Sequence, residues 1–123
     1  MTASKQEKLD MALADLRRTF PAVRGALVAT TDGLPISQSF RDDTDADHVA
    51  AMAAVALGLG RRMNQTLKTG ELSEMSISGG IGQVYIYATG RRGVLAVVAP
   101  GGMNLGILHK EARDTAVRVA RIL

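Results

Sequence analysis

A chain of 123 residues with 46% hydrophobic and 22% charged side chains can build one water-soluble domain, residues 1–123, around its own core. It has no cysteine, which excludes disulfides, thiolate metal sites and thiol nucleophiles together. The formal charge of +3 is a scattered Lys/Arg excess, and with two Phe, two Tyr and no Trp there are few faces on which bases could stack, so nucleic acid is not an expected partner.

The opening stretch, MTASKQEKLDMALADL, has no apolar h-region and does not read as a signal peptide. A cytoplasmic setting suits the composition. Ser4-Lys5-Gln6-Glu7 has the form of a capping box, and Leu9, Leu13, Leu16 and Phe20 follow at helical spacing, with Pro21 closing the helix. GALVATT (25–31) is rich in strand formers, Asp32-Gly33 signals a tight turn, and Leu34–Phe40 returns as a second strand. Pro35 marks that strand as an edge. Thr44 is the expected cap of the next helix, with Asp45 and Asp47 in its first turn, and the helix runs from about Ala46 to Lys68 with Gly70 stopping it. Three strands follow at Leu72–Ser78, Gln83–Thr89 and Gly93–Ala99, joined by glycine-rich breaks too short for anything but antiparallel neighbours. A last amphipathic helix begins near Asn104.

The order α-β-β-α-β-β-β-α gives an α+β fold with one five-stranded antiparallel sheet and three helices. No catalytic constellation accompanies it. Asp42, Asp43, Asp45 and Asp47 lack the order of a calcium loop and fit helix capping and a solvated loop. His48 and His109 have no partner at a helical metal spacing, and His109 reads as an exposed helix position. Gly79-Gly80-Ile81-Gly82 joins strand to strand, whereas a phosphate loop leads into a helix. Neither a cofactor nor a metal is expected. Arg61-Arg62 and Arg91-Arg92 fit a solvated helix end and a hairpin tip, and Arg62, Arg91 and Arg92 are weak candidates for contact with an acidic partner or a nucleotide in trans.

The middle helix carries the most information. Residues 50–60, AAMAAVALGLG, have no polar side chain. As a helix they span about 16 Å, well short of the roughly 30 Å of a bilayer core, so membrane insertion is not expected. Val49, Met52, Ala56, Leu59, Met63 and Leu67, with Val55 at the margin, form a stripe of larger side chains expected to rest on the sheet. Ala50, Ala51, Ala54 and Gly58, then Arg61, Gln65 and Lys68, form a smaller side, with Leu57 between the two. Small residues four apart admit a second backbone, and this side is the expected contact of a two-fold helix pair.

The whole chain resembles the roadblock/LC7 domain family. The resemblance rests on VRGALVATTDGLPIS (23–37), ADHVAAMAAVALGLGRRM (46–63), GELSEMSIS (70–78), QVYIYATGRRGVLAVVAP (83–100) and NLGILHKEARDTAVRVARIL (104–123). It implies a sheet with the long helix on one face and both terminal helices on the other. It also implies a homodimer through the central helix and third strand, placing Ala50, Ala51, Ala54, Leu57, Gly58, Arg61, Gln65, Met75, Ser76 and Ile77 at the candidate interface. The short-looped chain looks most like the prokaryotic, MglB-like branch. That likeness implies a non-catalytic adaptor or regulator of a small Ras-like GTPase, including a GTPase activator that holds the GTPase's own switch residues in place. The alternatives are a scaffold or signalling subunit without a GTPase, or a small-ligand sensor domain.

Overall fold

In the computed structural model, which describes residues 2–123, the elements are α1 (Lys5–Thr19), β1 (Gly25–Thr30), β2 (Pro35–Phe40), α2 (Ala46–Leu67), β3 (Glu74–Ser78), β4 (Gly82–Thr89), β5 (Gly93–Pro100) and α3 (Leu105–Ile122). The five strands form one antiparallel sheet in the order β2-β1-β5-β4-β3. Helix α2 covers one face, and α1 and α3 cover the other. The expected α+β architecture is therefore the observed one.

Local chemistry accounts for most boundaries. The Ser4 hydroxyl caps the helix by accepting the Glu7 N–H at 3.1 Å, and the Glu7 carboxylate reaches back to accept from that hydroxyl, a variant of the expected capping box. Gly33 takes φ +90 in the β1–β2 turn, a conformation that side chains resist. Pro35 opens β2 on the sheet edge, where its missing N–H costs no inner ladder bond, and the register shifts beside it between Val28 and Ala29. Asp15 ties α1 to α3 by accepting from Arg118 at 2.8 Å and also binds Arg18 at 3.0 Å. The Arg118 hydrogen bond, first among the causes, holds the Asp15 carboxyl below its ordinary range. Its contribution to stability is thus present above the usual carboxylate pKa and fades as the pH falls through the lowered one.

Three expected boundaries shift. Asp45, not Thr44, caps α2, its side chain accepting the N–H groups of Asp47 at 3.1 Å and His48 at 3.3 Å. Thr44 is engaged one step earlier, with its N–H on the Asp42 carboxylate at 3.0 Å. At the other end the helix turns on Lys68, with φ 56 and ψ 43, two residues before Gly70. The Thr69 N–H then closes back on the Asn64 carbonyl at 3.0 Å. A lysine in this left-handed region carries a strain of about 1 kcal/mol, so Lys68→Gly raises folding stability by about that amount in urea denaturation. Finally, β3 starts at Glu74 instead of Leu72, and Leu72 packs beneath α2 with Met75, not on the Glu74 side.

The larger correction concerns α2. Ala50, Ala53, Leu57 and Gly60 are its buried residues, packed with Leu27, Ala29, Ile86, Val94 and Ala96 of the sheet. Met52, Val55, Leu59, Met63 and Leu67 are instead 53–71% exposed. The helix is thus rotated by about a third of a turn from the expected orientation. The physical reason is close approach. Small residues on both surfaces let the helix axis settle near the sheet, with Leu57 filling the middle. At Gly60 an added Cβ would lie 2.9 Å from Leu72 Cδ2 and 3.2 Å from Met75 Sδ, whereas at Gly58 it would meet nothing within 4 Å. Of the two glycines, only Gly60 is explained by packing within one chain.

Candidate functional site

The rotation of α2 leaves its larger apolar side chains on the surface. Met52, Val55, Leu59, Met63 and Leu67 recur at helical spacing along the outer side of the helix, and Ile77, 52% exposed, extends the apolar surface onto β3. Strand β3 is the sheet edge next to this region, so one row of its backbone groups has no strand beyond it. A contiguous apolar helix face beside an unpaired edge is the arrangement that a protein–protein contact covers.

The candidate residues divide on this geometry. Ala50 and Leu57 are 0% and 1% exposed against the sheet of their own chain and present no surface to a second one. Met75 is half buried with them under α2. Ala51, Gly58 and Gln65 are exposed, and Ala54 is half buried beside the Gly33 turn. Ser76 and Ile77 are exposed on β3, as are Arg62, Arg91 and Arg92 elsewhere on the surface. Arg61 is held by a bond from its guanidinium to the Gly90 carbonyl at 2.9 Å. Met52, Val55, Leu59, Met63 and Leu67, which the sequence pattern assigns to the sheet, belong to this outer surface instead. Leu59 and Val55 each stand over a helix that has already buried its other side, which periodicity alone does not reveal.

A polar network anchors the edge strand. Glu74, the first residue of β3, accepts from Arg113 Nε at 2.7 Å and pairs with its terminal nitrogen at 2.6 Å. The other Glu74 oxygen lies 3.1 Å from His109 Nδ1, which is also 2.8 Å from the Tyr87 hydroxyl. The carboxylate selects the tautomer with its proton on Nδ1. Tyr85 meets the same imidazole edge-on at 4.4 Å between centroids. Burial first, and then the Glu74 charge, pushes the Tyr87 hydroxyl above the ordinary phenol range and keeps it protonated. His109 is therefore not the exposed helix residue its neighbours Lys110 and Glu111 suggested. It is a pin between α3 and the edge of the sheet. Glu74→Ala removes these partners at once and is expected to cost about 1–3 kcal/mol in chemical denaturation.

Beyond the start of β3 the sheet edge recedes and an open cleft of about 1120 Å³ lies between the C-terminal parts of α2 and α3. Gln65, Arg61 and Arg91 line it, while Arg62 and Arg92 do not. Among the described residues, no three His, Asp or Glu side chains come together as metal ligands, and no helix is long and apolar enough to cross a membrane.

A sequence model of the Roadblock/LC7 domain matches residues 9–99. The chain belongs to the Roadblock/LC7 domain family. The uncharacterized protein MJ0714 of Methanocaldococcus jannaschii is 29% identical over 114 residues, covering 93% of this chain and 95% of that one. Among solved structures, gliding protein MglB from Thermus thermophilus superposes with a TM-score of 0.87 at 18% identity, over 99% of this chain and 93% of the other. An MglB in a tetrameric arrangement gives 0.88 at 19% identity, over 99% and 92%. At those identities the two structures speak for the Roadblock/LC7 fold: the same sheet, with the long helix opposite the terminal pair.

Proposed function

We propose that this chain is a non-catalytic, homodimeric, cytoplasmic adaptor or regulator of a small Ras-like GTPase, built as a single Roadblock/LC7 domain over residues 1–123. The observation that carries it is the exposed apolar side of α2 beside the unpaired edge of β3. Two copies related by a two-fold axis would bury that face against itself and extend the sheet through β3. Self-association as such is in keeping with the tetrameric arrangement of an MglB. The GTPase reading draws on family membership and on the fold shared with the gliding protein MglB.

The chain offers such a GTPase a rigid surface and no reacting group. Any stimulation of hydrolysis then comes from holding the GTPase's switch segments in their active arrangement. Retention of a Ras-like GTPase from the same organism, loaded with GDP or with a non-hydrolysable GTP analogue, tests the pairing. Binding that depends on the nucleotide supports it, and equal absence of binding in both states overturns it. Arginine substitutions separate the mechanisms. Arg62→Ala, Arg91→Ala and Arg92→Ala should each leave single-turnover GTP hydrolysis within about threefold, whereas loss of an inserted arginine would slow it by about a thousandfold or more.

A further inference from the structure

The cleft beside β4 has a chemistry that the dimer surface lacks. β3 begins at Glu74, opposite Tyr87, so the last residues of β4 have no strand outside them, and the α2–β3 connection passes around the gap. Five cations reach the cleft: Arg61 and Lys68 from α2, Arg91 from the β4–β5 turn, and Arg113 and Arg121 from α3. Glu71 is its one carboxylate. Arg113 is occupied by Glu74, and Arg61 by the Gly90 carbonyl. Among the described residues Lys68, Arg91 and Arg121 form no ion pair. Between the cations lies an apolar floor of Leu72, Ala116, Val117 and Ala120, with Val117 half exposed.

We infer that this cleft docks an acidic segment of a partner protein that carries an apolar anchor residue. Two features select that occupant. The unpaired cations call for negative charge, and they are spread around an open cleft, matching carboxylates spaced along a chain. The floor calls for an apolar side chain, which a bare phosphate lacks. Nucleic acid is the poorer fit for another reason: the one aromatic ring in the lining, Tyr87, is 1% exposed and offers no stacking face. Helix-end compensation accounts for Lys68 and Arg121 alone, while Arg91 sits on a turn with no helix end to offset.

The test is fluorescence anisotropy of the full chain with a short labelled peptide of glutamates around a central Leu-Leu pair. The expected result is salt-sensitive binding that the glutamine counterpart lacks. Combining Lys68→Glu, Arg91→Glu and Arg121→Glu should weaken it by about tenfold or more, because each rim charge contributes a fraction of the 1.4 kcal/mol that makes a factor of ten. Lys5→Glu, Lys8→Glu and Arg41→Glu together change the net charge equally, lie outside the cleft, and should leave binding within about twofold. An equal loss in both triple variants, or equal binding of the glutamine peptide, overturns the inference. So does competition by tripolyphosphate or a single-stranded oligonucleotide at lower concentration than the unlabelled peptide, which would assign the cleft to phosphate. Circular dichroism and the urea midpoint establish that each variant is folded.

Discussion

Leu59→Asp should convert the proposed homodimer to a folded monomer. Leu59 is 56% exposed in the single chain and lies midway along the outer stripe of α2, flanked by Val55 and Met63. In a two-fold contact each residue is present twice, so one substitution removes two buried leucines. Fully burying a leucine side chain contributes about 1.5–3 kcal/mol, and with about half of Leu59 left to cover, the two copies together account for about 1.5–3 kcal/mol. That is a loss of at least about tenfold in the dimerisation constant, before the cost of bringing two carboxylates together is added. Sedimentation equilibrium reads the mass, and circular dichroism should be unchanged because the side chain touches little of its own protomer. Gly58→Ala is the companion. An added Cβ meets nothing within the chain, so the alanine should strengthen the isolated helix by about 1 kcal/mol. If Leu59→Asp stays dimeric while Gly58→Ala or Ala54→Glu gives monomers, the small side of α2 is the pairing surface after all.

The contrast between these faces shows where the sequence is informative. The hairpins and the starts of α1 and α3 are readable because local chemistry specifies them: Asp32-Gly33 makes a turn, Pro35 an edge, and Ser4 and Asn104 cap helices by their own side chains. The orientation of α2 is not readable. Its sequence holds two helical stripes, one of large and one of small apolar residues, and both have the right period. The rule that larger side chains face the core assumes that one chain buries everything it has. A helix that packs its small side on the sheet and leaves its large apolar stripe outside its own core breaks that assumption. The Glu74–His109–Tyr87–Arg113 network is hidden for a different reason. Its members come from three elements, and the pairing of β3 with β4 and the docking of α3 must all be in place before His109 has a partner. The basic cleft is equally non-local, although Arg91 already stands out in the sequence as a candidate contact.

Leu57→Ala should be the most damaging conservative change on α2, and it acts on folding rather than on association. Leu57 is 1% exposed and is the largest α2 side chain in the layer between helix and sheet, where Ala50, Ala53 and Gly60 flank it and Leu27, Ile86 and Val94 lie in the same cluster. Removing its terminal carbons loses their burial and leaves a void, because the strands below are held by hydrogen bonds to both neighbours and cannot collapse into it. The expected cost is about 2–5 kcal/mol, out of a total of about 5–15 kcal/mol for a domain. Chemical denaturation should be run at several protein concentrations, since a dimer's midpoint moves with concentration and a monomer's does not. For Leu57→Ala the midpoint should fall while its concentration dependence persists. In Leu59→Asp the concentration dependence should disappear. If Leu57→Ala were nearly neutral to folding and instead abolished the dimer, α2 would have to be turned back by about a third of a turn, with its large stripe on the sheet.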